Sequence, residues 1–242
     1  ICGNDTIYGV SSSGAFTCPN GVDNPKQMLL QRIYIKDGNN MSYQDTWTGS
    51  MTYHESHGHN HVDDWAVMTL RIPTSDPHPL NWPIVGDGAK IGFCLMDYGQ
   101  CGSNTGSTYY GHCRDDNTVY NGGNVMANSD FTNWNLGGGN YNCSVVEQGI
   151  SSGWTDVYGK WLDGMWINIP PNTCNGDYYI VMEVDKNNYF QEEYEDNNYT
   201  AVPVTLSLQL PENSGALPTI NSNESSYLCT GQSIVLTASA GT

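Results

Sequence analysis

The stretch His54-Glu-Ser-His-Gly-His-Asn-His-Val-Asp-Asp-Trp-Ala-Val-Met-Thr-Leu-Arg-Ile72 carries two alternating patterns in succession. Histidines alternate in its first half, and the apolar residues Ala66, Met68, Leu70 and Ile72 alternate in its second half. Side chains two apart point to the same face of a β-strand, whereas on a helix they diverge. The period of two therefore predicts β-strands in both halves and no helix.

The alternating histidines also predict a metal site. A strand that carries His57, His59 and His61 offers three imidazoles to one point, which is how proteins hold Cu²⁺ or Zn²⁺. Half of the chain's 6 histidines lie in these three positions. Because imidazole suits copper, zinc and nickel alike, the spacing leaves the metal open. A polar surface strand without a metal is the alternative.

Further alternation and loop composition predict the fold class. Period-two or near-continuous apolar patterns occur at residues 30–36, 65–72, 165–169, 178–184 and 204–210. Stretches rich in Gly, Asn and Ser, at residues 99–111 and 121–142, are too long for hairpin turns. We therefore expect an all-β protein, a β-sandwich with long loops stapled by disulfides.

The charge balance excludes some classes of partner. The chain has 242 residues with 25 acidic and 8 basic side chains, a formal net charge of −17. Nucleic acid and anionic membrane surfaces both require a cationic footprint, so neither is an expected partner. The charge would attract a cationic partner such as a lysine-rich polypeptide, although solubility outside the cell explains it equally well. No stretch approaches the roughly 20 apolar residues of a transmembrane helix.

The cysteines indicate an oxidising compartment. There are 8 cysteines and no Cys-x-x-Cys motif, which favours disulfides over a zinc ribbon or a thioredoxin-like site. The start Ile1-Cys2-Gly3 lacks the basic and apolar regions of a signal peptide. We expect a mature, secreted or cell-surface protein.

A domain boundary is predicted near Pro211–Pro218. Residues 1–210 form the main domain in this interpretation, and residues 211–242 form a linker followed by the first strands of another domain. The segment Tyr227–Ala238 resembles the opening of the immunoglobulin-like repeats of large secreted bacterial surface proteins. The chain is therefore expected to be part of a longer multidomain protein.

Three motifs together resemble the lysyl oxidase family, in its bacterial type. The histidine motif resembles the family's copper motif, including the earlier histidine, here His54. Gly88-Ala-Lys-Ile-Gly-Phe-Cys-Leu95 is similar to the context of the family's cofactor lysine, and Asp156-Val-Tyr-Gly159 to that of its cofactor tyrosine. The similar text spans roughly residues 27–208.

The resemblance implies a function and a set of site residues. His57, His59 and His61 would bind copper, and Lys90 and Tyr158 would cross-link to form the cofactor lysine tyrosylquinone. The protein would then oxidise peptidyl-lysine or small primary amines to aldehydes, releasing H₂O₂ and ammonia. The lysine must be neutral to attack the oxidised ring, and its apolar neighbours predict a lowered pKa.

Several cysteine positions and the catalytic base are less well defined. The resemblance implies a disulfide between Cys94 and Cys101, while proximity in sequence favours Cys2–Cys18 and Cys113–Cys143, with connectivity left open. Family cysteines are replaced at Ser56, Trp154 and Gly164. A family histidine suspected of acid–base work has no counterpart, so Asp63 or Asp64 is a candidate base, with a structural role as the alternative for both.

An oxygen-rich stretch, residues 187–198, predicts a second metal site. Calcium prefers carboxylate and amide oxygens, and the resemblance places such a site here, with Glu192, Glu195, Asn197 and Asn198 as ligands. An acidic turn without an ion is the alternative.

A rival function belongs to another class. The chain could be a non-enzymatic copper- or zinc-binding structural or adhesion module of a large surface protein. Lys90 and Tyr158 in their motifs favour the oxidase, since a module that only binds metal has no need of them.

Overall fold

The computed structural model describes residues 16–100, 140–171, 173–192, 195–207 and 209. Within these ranges lie ten β-strands and one 3-10 turn, Pro79–Asn81. The strands are β1 Gln27–Asp37, β2 Asn40–His54, β3 His59–Val62, β4 Ala66–Arg71, β5 Ile84–Gly88, β6 Gly99–Gln100, β7 Trp154–Thr155, β8 Ile167–Asn168, β9 Gly176–Val184 and β10 Tyr199–Leu206.

The strands form three antiparallel sheets. One has the order β1-β2-β3, the second β10-β9-β4-β5-β8, and the third is the short pair β6-β7. The described residues contain no α-helix. The predicted fold class, an all-β sandwich with disulfide-stapled loops, is confirmed.

The core lies on the two central strands of the five-stranded sheet. β9, predicted from its near-continuous apolar run, pairs with β10 on one side and β4 on the other. Its Tyr178 and Val181 are buried, as are Ala66 and Leu70 of β4. A central strand, flanked by neighbours at both edges, removes more of its side-chain surface from solvent contact than an edge strand does, which favours apolar residues in β9.

The first sheet extends as a long hairpin of β1 and β2. Across it, Arg32 pairs with Asp45 at 2.7 Å. Ile35, in the alternating segment at residues 30–36, is 47% exposed. Alternation in this strand therefore does not mark a buried face, because the sequence pattern fixes the period of the side chains and not what covers them.

An isolated bridge joins β3 to the segment after Lys90. The Val62 amide donates to the Phe93 carbonyl at 2.7 Å, and the Phe93 amide donates back at 3.1 Å. Gly92 lies directly against β3: a Cβ added there would lie 3.2 Å from the His61 Cβ. Only glycine lets the two segments approach this closely without a shift. The bridge places the lysine segment beside the histidine strand.

A disulfide between Cys94 and Cys143 corrects two predicted pairings, Cys94–Cys101 and Cys113–Cys143. The two Cα atoms are 5.4 Å apart although 49 positions separate them in sequence. The Asp97 amide donates to the Tyr141 carbonyl at 3.0 Å, so the two segments run together and bring the cysteines within bonding range. Neither the family resemblance, which implied Cys94–Cys101, nor proximity in sequence, which favoured Cys113–Cys143, gave the pairing that the fold produces.

Other expectations fall outside the described ranges. Cys2, Cys101, Cys113 and the predicted second domain, residues 211–242, are among them. Cys18 is disulfide-bonded, as is Cys174.

Of the helices in the described part of the chain, none has the length and apolar character to cross a membrane.

Candidate metal and cofactor site

The three predicted histidines converge on one point. His57 Nδ1 lies 3.1 Å from His61 Nε2, and His59 Nε2 also lies 3.1 Å from His61 Nε2. Nitrogens about 2.0 Å from a tetrahedral metal are roughly 3.3 Å apart, so these separations fit a metal held by all three rings. The three histidines thus form a group that could hold a metal ion.

The local backbone differs from the prediction of a single strand. His59 and His61 lie on β3 and face one side, while Asn60 between them is buried on the other. His57 precedes the strand in a turn in which its amide donates to the His54 carbonyl at 3.1 Å. Gly58 has φ +72°, which breaks the extended backbone before β3 begins. The strand prediction is therefore wrong for His57, although its ring still reaches the other two.

The two histidine rings on β3, His59 and His61, have lowered pKa values, which favour the neutral form that binds metals. Burial, followed by the nearby Lys90 charge, lowers the pKa of His61 to about 3. Burial, followed by His57, also lowers the pKa of His59. Neutral imidazole keeps a lone pair for the metal, so both rings are ready to coordinate at neutral pH.

His54 lies close to this group and does not join it. Its ring stacks on His61 with centroids 4.9 Å apart. Its Nδ1 lies 3.0 Å from the Ser56 hydroxyl. His54 thus packs against a ligand.

A second cluster near the histidines combines His59 with the sulfurs of Cys94 and Cys143. These sulfurs are joined in the disulfide. Only a free thiolate is a good metal ligand, so the cluster supplies a single donor, the ring of His59. The three-histidine group is the better metal site.

Asp163 faces the histidine group and was not identified from sequence. Its Oδ2 lies 3.7 Å from His57 Nε2, the nitrogen turned away from His61. At 3.7 Å, and with 70% of the Asp163 side chain exposed, this is an electrostatic contact without a hydrogen bond, through which the carboxylate would favour a cation on the histidine group. No motif around Asp163 marks this role, because its partner lies far earlier in the chain.

Lys90 is buried beside the histidines, with 8% of its surface exposed. Burial lowers the pKa of its amine, and the Asp163 carboxylate opposes that shift. Gly164 packs against it: a Cβ there would lie 3.1 Å from the Lys90 Cβ, and φ is +77°. The predicted lowering of the pKa of Lys90 is thus present in the structure.

Tyr158 lies against the same pocket. The Lys90 Nζ is 6.0 Å from the centroid of the Tyr158 ring, and the ring packs edge-on against Phe93 with centroids 4.7 Å apart. The phenol donates its hydrogen bond to the Cys94 carbonyl, and the Asp156 carboxyl lies beside the phenol. Burial raises the pKa of Tyr158, and Asp156 raises it further.

Asp156, the first residue of the motif that contains Tyr158, is a further residue of the site. Its Oδ1 accepts from the Val157 amide at 2.9 Å and its Oδ2 from the Met96 amide at 3.3 Å. Burial raises the pKa of this carboxyl to about 6, although these amides oppose the shift. The group is thus a weak acid next to the phenol.

The two bases proposed from sequence occupy structural positions. Asp63 accepts from the Ser50 hydroxyl at 2.7 Å and the Thr52 hydroxyl at 3.1 Å, which ties it to β2. Asp64 has φ +54° and lies in the turn before β4. The structural alternative describes both residues better.

Three of the four predicted calcium ligands lie together. The Glu192 amide donates to Glu195 Oε1 at 3.0 Å, and the Asn198 side chain donates to Glu192 Oε2. Burial is the main cause that raises the pKa of Glu192. Asn197 is adjacent in sequence. A neighbouring cavity of about 210 Å³ is lined by carboxylates that include Glu195 and Asp185.

Comparison with known proteins adds one finding. A family model described as lysyl oxidase matches residues 135–209, which include Tyr158 and the Glu192–Asn198 stretch. The three histidines and Lys90 lie outside that match. A search among curated proteins finds none that matches this chain. Over residues 135–209 the chain is therefore similar to lysyl oxidases.

Proposed function

We propose that this protein is an extracellular, copper-dependent amine oxidase of the lysyl oxidase type. The observation that carries the proposal is the meeting of two motifs far apart in sequence. The Lys90 amine lies 6.0 Å from the Tyr158 ring, beside a group of three histidines. The match to lysyl oxidases contains Tyr158 alone of these residues, so the histidines and Lys90 support the proposal independently.

The donor set fits copper. Three imidazoles form a strong site for Cu²⁺, with Zn²⁺ as the main competitor. His57, His59 and His61 would hold the metal, which would supply one-electron oxidation of the neighbouring phenol in the presence of O₂. The charge of Asp163 would favour the bound cation.

The chain's own residues prepare the cross-link between Lys90 and Tyr158. Burial favours the neutral, nucleophilic form of the Lys90 amine. Phe93 holds the Tyr158 ring edge-on, and a rotation about the lysine side chain would bring Nζ to the ring. The product, lysine tyrosylquinone, would present a carbonyl to the substrate amine.

The overall reaction would be RCH₂NH₃⁺ + O₂ + H₂O → RCHO + NH₄⁺ + H₂O₂. A peptidyl-lysine or a small primary amine would serve as the substrate, and the net charge of −17 would attract either. The disulfides support an extracellular location.

A calcium ion is proposed at the acidic stretch as a separate, structural element. Glu192, Glu195, Asn197 and Asn198 would be its ligands. Millimolar CaCl₂ should raise the unfolding temperature, and Glu192→Gln should remove that increase while MgCl₂ has little effect. Equal unfolding temperatures with and without CaCl₂ would contradict this assignment.

Oxidase activity tests the main proposal directly. Protein loaded with Cu²⁺ in aerated buffer should develop a quinone absorbance, stain as a quinoprotein and release H₂O₂ with a primary amine. Zinc-loaded protein should do none of these, because Zn²⁺ has no accessible redox change. Tight copper binding without quinone or H₂O₂ would favour the rival function, a metal-binding structural module.

A further inference from the structure

Asp156 is a partly buried carboxyl with a defined set of partners. The Val157 and Met96 amides each donate to one of its oxygens, which fixes the orientation of the carboxyl. The remaining partner is the Tyr158 phenol. Amide N–H groups do not ionise under ordinary conditions, so the phenol is the one partner in this set that can give up a proton.

The Tyr158 oxygen has two neighbours that can accept its hydrogen bond. The Cys94 carbonyl accepts the hydrogen bond of the phenol, and the Asp156 carboxyl lies beside the same phenol oxygen. A carbonyl can accept a hydrogen bond and cannot keep the proton, whereas a carboxylate can do both. Asp156 is thus the residue equipped to take the proton away.

Other charged groups around the pair are engaged elsewhere. Asp97, which faces Asp156, accepts from the Ser151 amide and hydroxyl at 2.6 and 2.8 Å and from the Tyr141 amide at 3.1 Å. Asp163 lies at His57. Lys90 must itself be neutral in order to attack the ring, and its Nζ is 6.0 Å from the ring centroid.

We propose that Asp156 accepts the Tyr158 phenol proton while the ring is oxidised. In this step the O–H bond would break and the proton would move to an Asp156 oxygen. A copper ion held by His57, His59 and His61 would supply the one-electron oxidation of the ring, with O₂ as the final oxidant. The assignment rests on the proposed function for its oxidant. It gives a catalytic role in cofactor formation to a residue of the Asp-x-Tyr motif.

The assignment predicts how cofactor formation depends on pH. Burial raises the pKa of the Asp156 carboxyl to about 6, so the group is ionised at pH 7 and becomes protonated as the pH falls below 6. A protonated carboxyl cannot accept the phenol proton. The rate of quinone appearance should therefore fall at acidic pH with a midpoint near 6.

The first test compares rates of quinone appearance after Cu²⁺ is added to aerated, metal-free protein. Asp156→Asn should slow the rate by about 10²- to 10⁴-fold, the usual effect of removing a general base, and should remove the midpoint near pH 6. Asp177→Asn, the same chemical change at an exposed residue on β9, should match the wild type. Asp156→Glu should recover part of the rate. A wild-type rate in folded Asp156→Asn protein would overturn the assignment.

The second test needs neither copper nor activity. Carboxyl ¹³C NMR of the metal-free protein should show Asp156 titrating near pH 6. Because the phenol stabilises the ionised carboxyl, Tyr158→Phe should move that midpoint to higher pH. An unchanged midpoint would overturn the assignment even in a protein that forms the quinone. Absence of quinone in the wild type contradicts the proposed function, and the NMR titration then decides on Asp156 alone.

Discussion

The histidine group and the Lys90–Tyr158 pair form two halves of one site, and they are built in different ways. The histidines come from one turn and one strand, so their meeting is settled locally. Lys90 and Tyr158 are brought together by contacts between distant segments: the Tyr158 phenol donates to the Cys94 carbonyl, and the Met96 amide donates to Asp156. The first half should therefore survive changes in the fold better than the second, and the two can be separated experimentally.

The largest expected effect comes from the pair. Tyr158→Phe and Lys90→Arg should each abolish quinone formation and H₂O₂ release, because the cross-link needs both the phenol and a neutral amine. Copper binding should persist, since neither residue is in the histidine group. Staining, H₂O₂ release and copper content measure this, with Tyr53→Phe and Lys186→Arg as matched controls. Loss of copper together with quinone would show that the halves are not separable.

A smaller but specific effect is expected from the histidine half. His61→Ala removes the ring that lies within 3.1 Å of both other ligand nitrogens, so copper affinity should fall at least 10²-fold. Competition with a chromophoric chelator measures it. His78→Ala, at a histidine whose ring packs at a tilt against Tyr199, should leave the affinity unchanged. Equal losses in the two variants would contradict the site.

Asp163 should have an intermediate effect. Asp163→Asn keeps the shape of the side chain and removes the charge that faces His57, so metal affinity should fall by about 10- to 100-fold. Because Asp163 also raises the pKa of Lys90, the variant should favour the neutral amine. The same competition assay applies. Unchanged affinity would show that the 3.7 Å approach to His57 has no role in metal binding.

The smallest effect is expected on the exposed hairpin. Asp45→Asn breaks the pair with Arg32, which lies at the surface and is screened by solvent. Copper affinity and quinone yield should each change by less than about twofold, as measured beside the variants above. A larger loss of copper affinity or quinone yield would mean that the hairpin supports the site. It would contradict the view that the histidine group is formed by local structure alone.

The histidine group was also the part of the site that could be predicted from the sequence. Alternation placed His59 and His61 on one face of β3 correctly, because the side-chain period of a strand is a property of the backbone. It failed for His57, since Gly58 turns the chain with a positive φ. Spacing therefore predicts convergence of the rings better than it predicts the exact strand boundaries.

The Lys90–Tyr158 pair could not be predicted from local sequence patterns alone. Lys90 and Tyr158 were named from resemblance, and the pairing of Cys94 with Cys143 could not be read from their positions. Asp163 was missed because its partner, the His57 ring, is brought to it by the fold. Asp156 stands in the same motif as Tyr158, but its raised pKa comes from burial that the motif does not reveal. The roles of these two carboxylates depend on burial and on distances between side chains, which cannot be read from a single sequence.

The most direct test of the central claim is a peptide mass map of copper-loaded, aerated protein. The account predicts one cross-linked species that joins the peptide containing Lys90 to the peptide containing Tyr158, with the mass of the quinone adduct. Zinc-loaded protein should give the two linear peptides. Recovery of both linear, unmodified peptides from the copper-loaded sample would contradict the account.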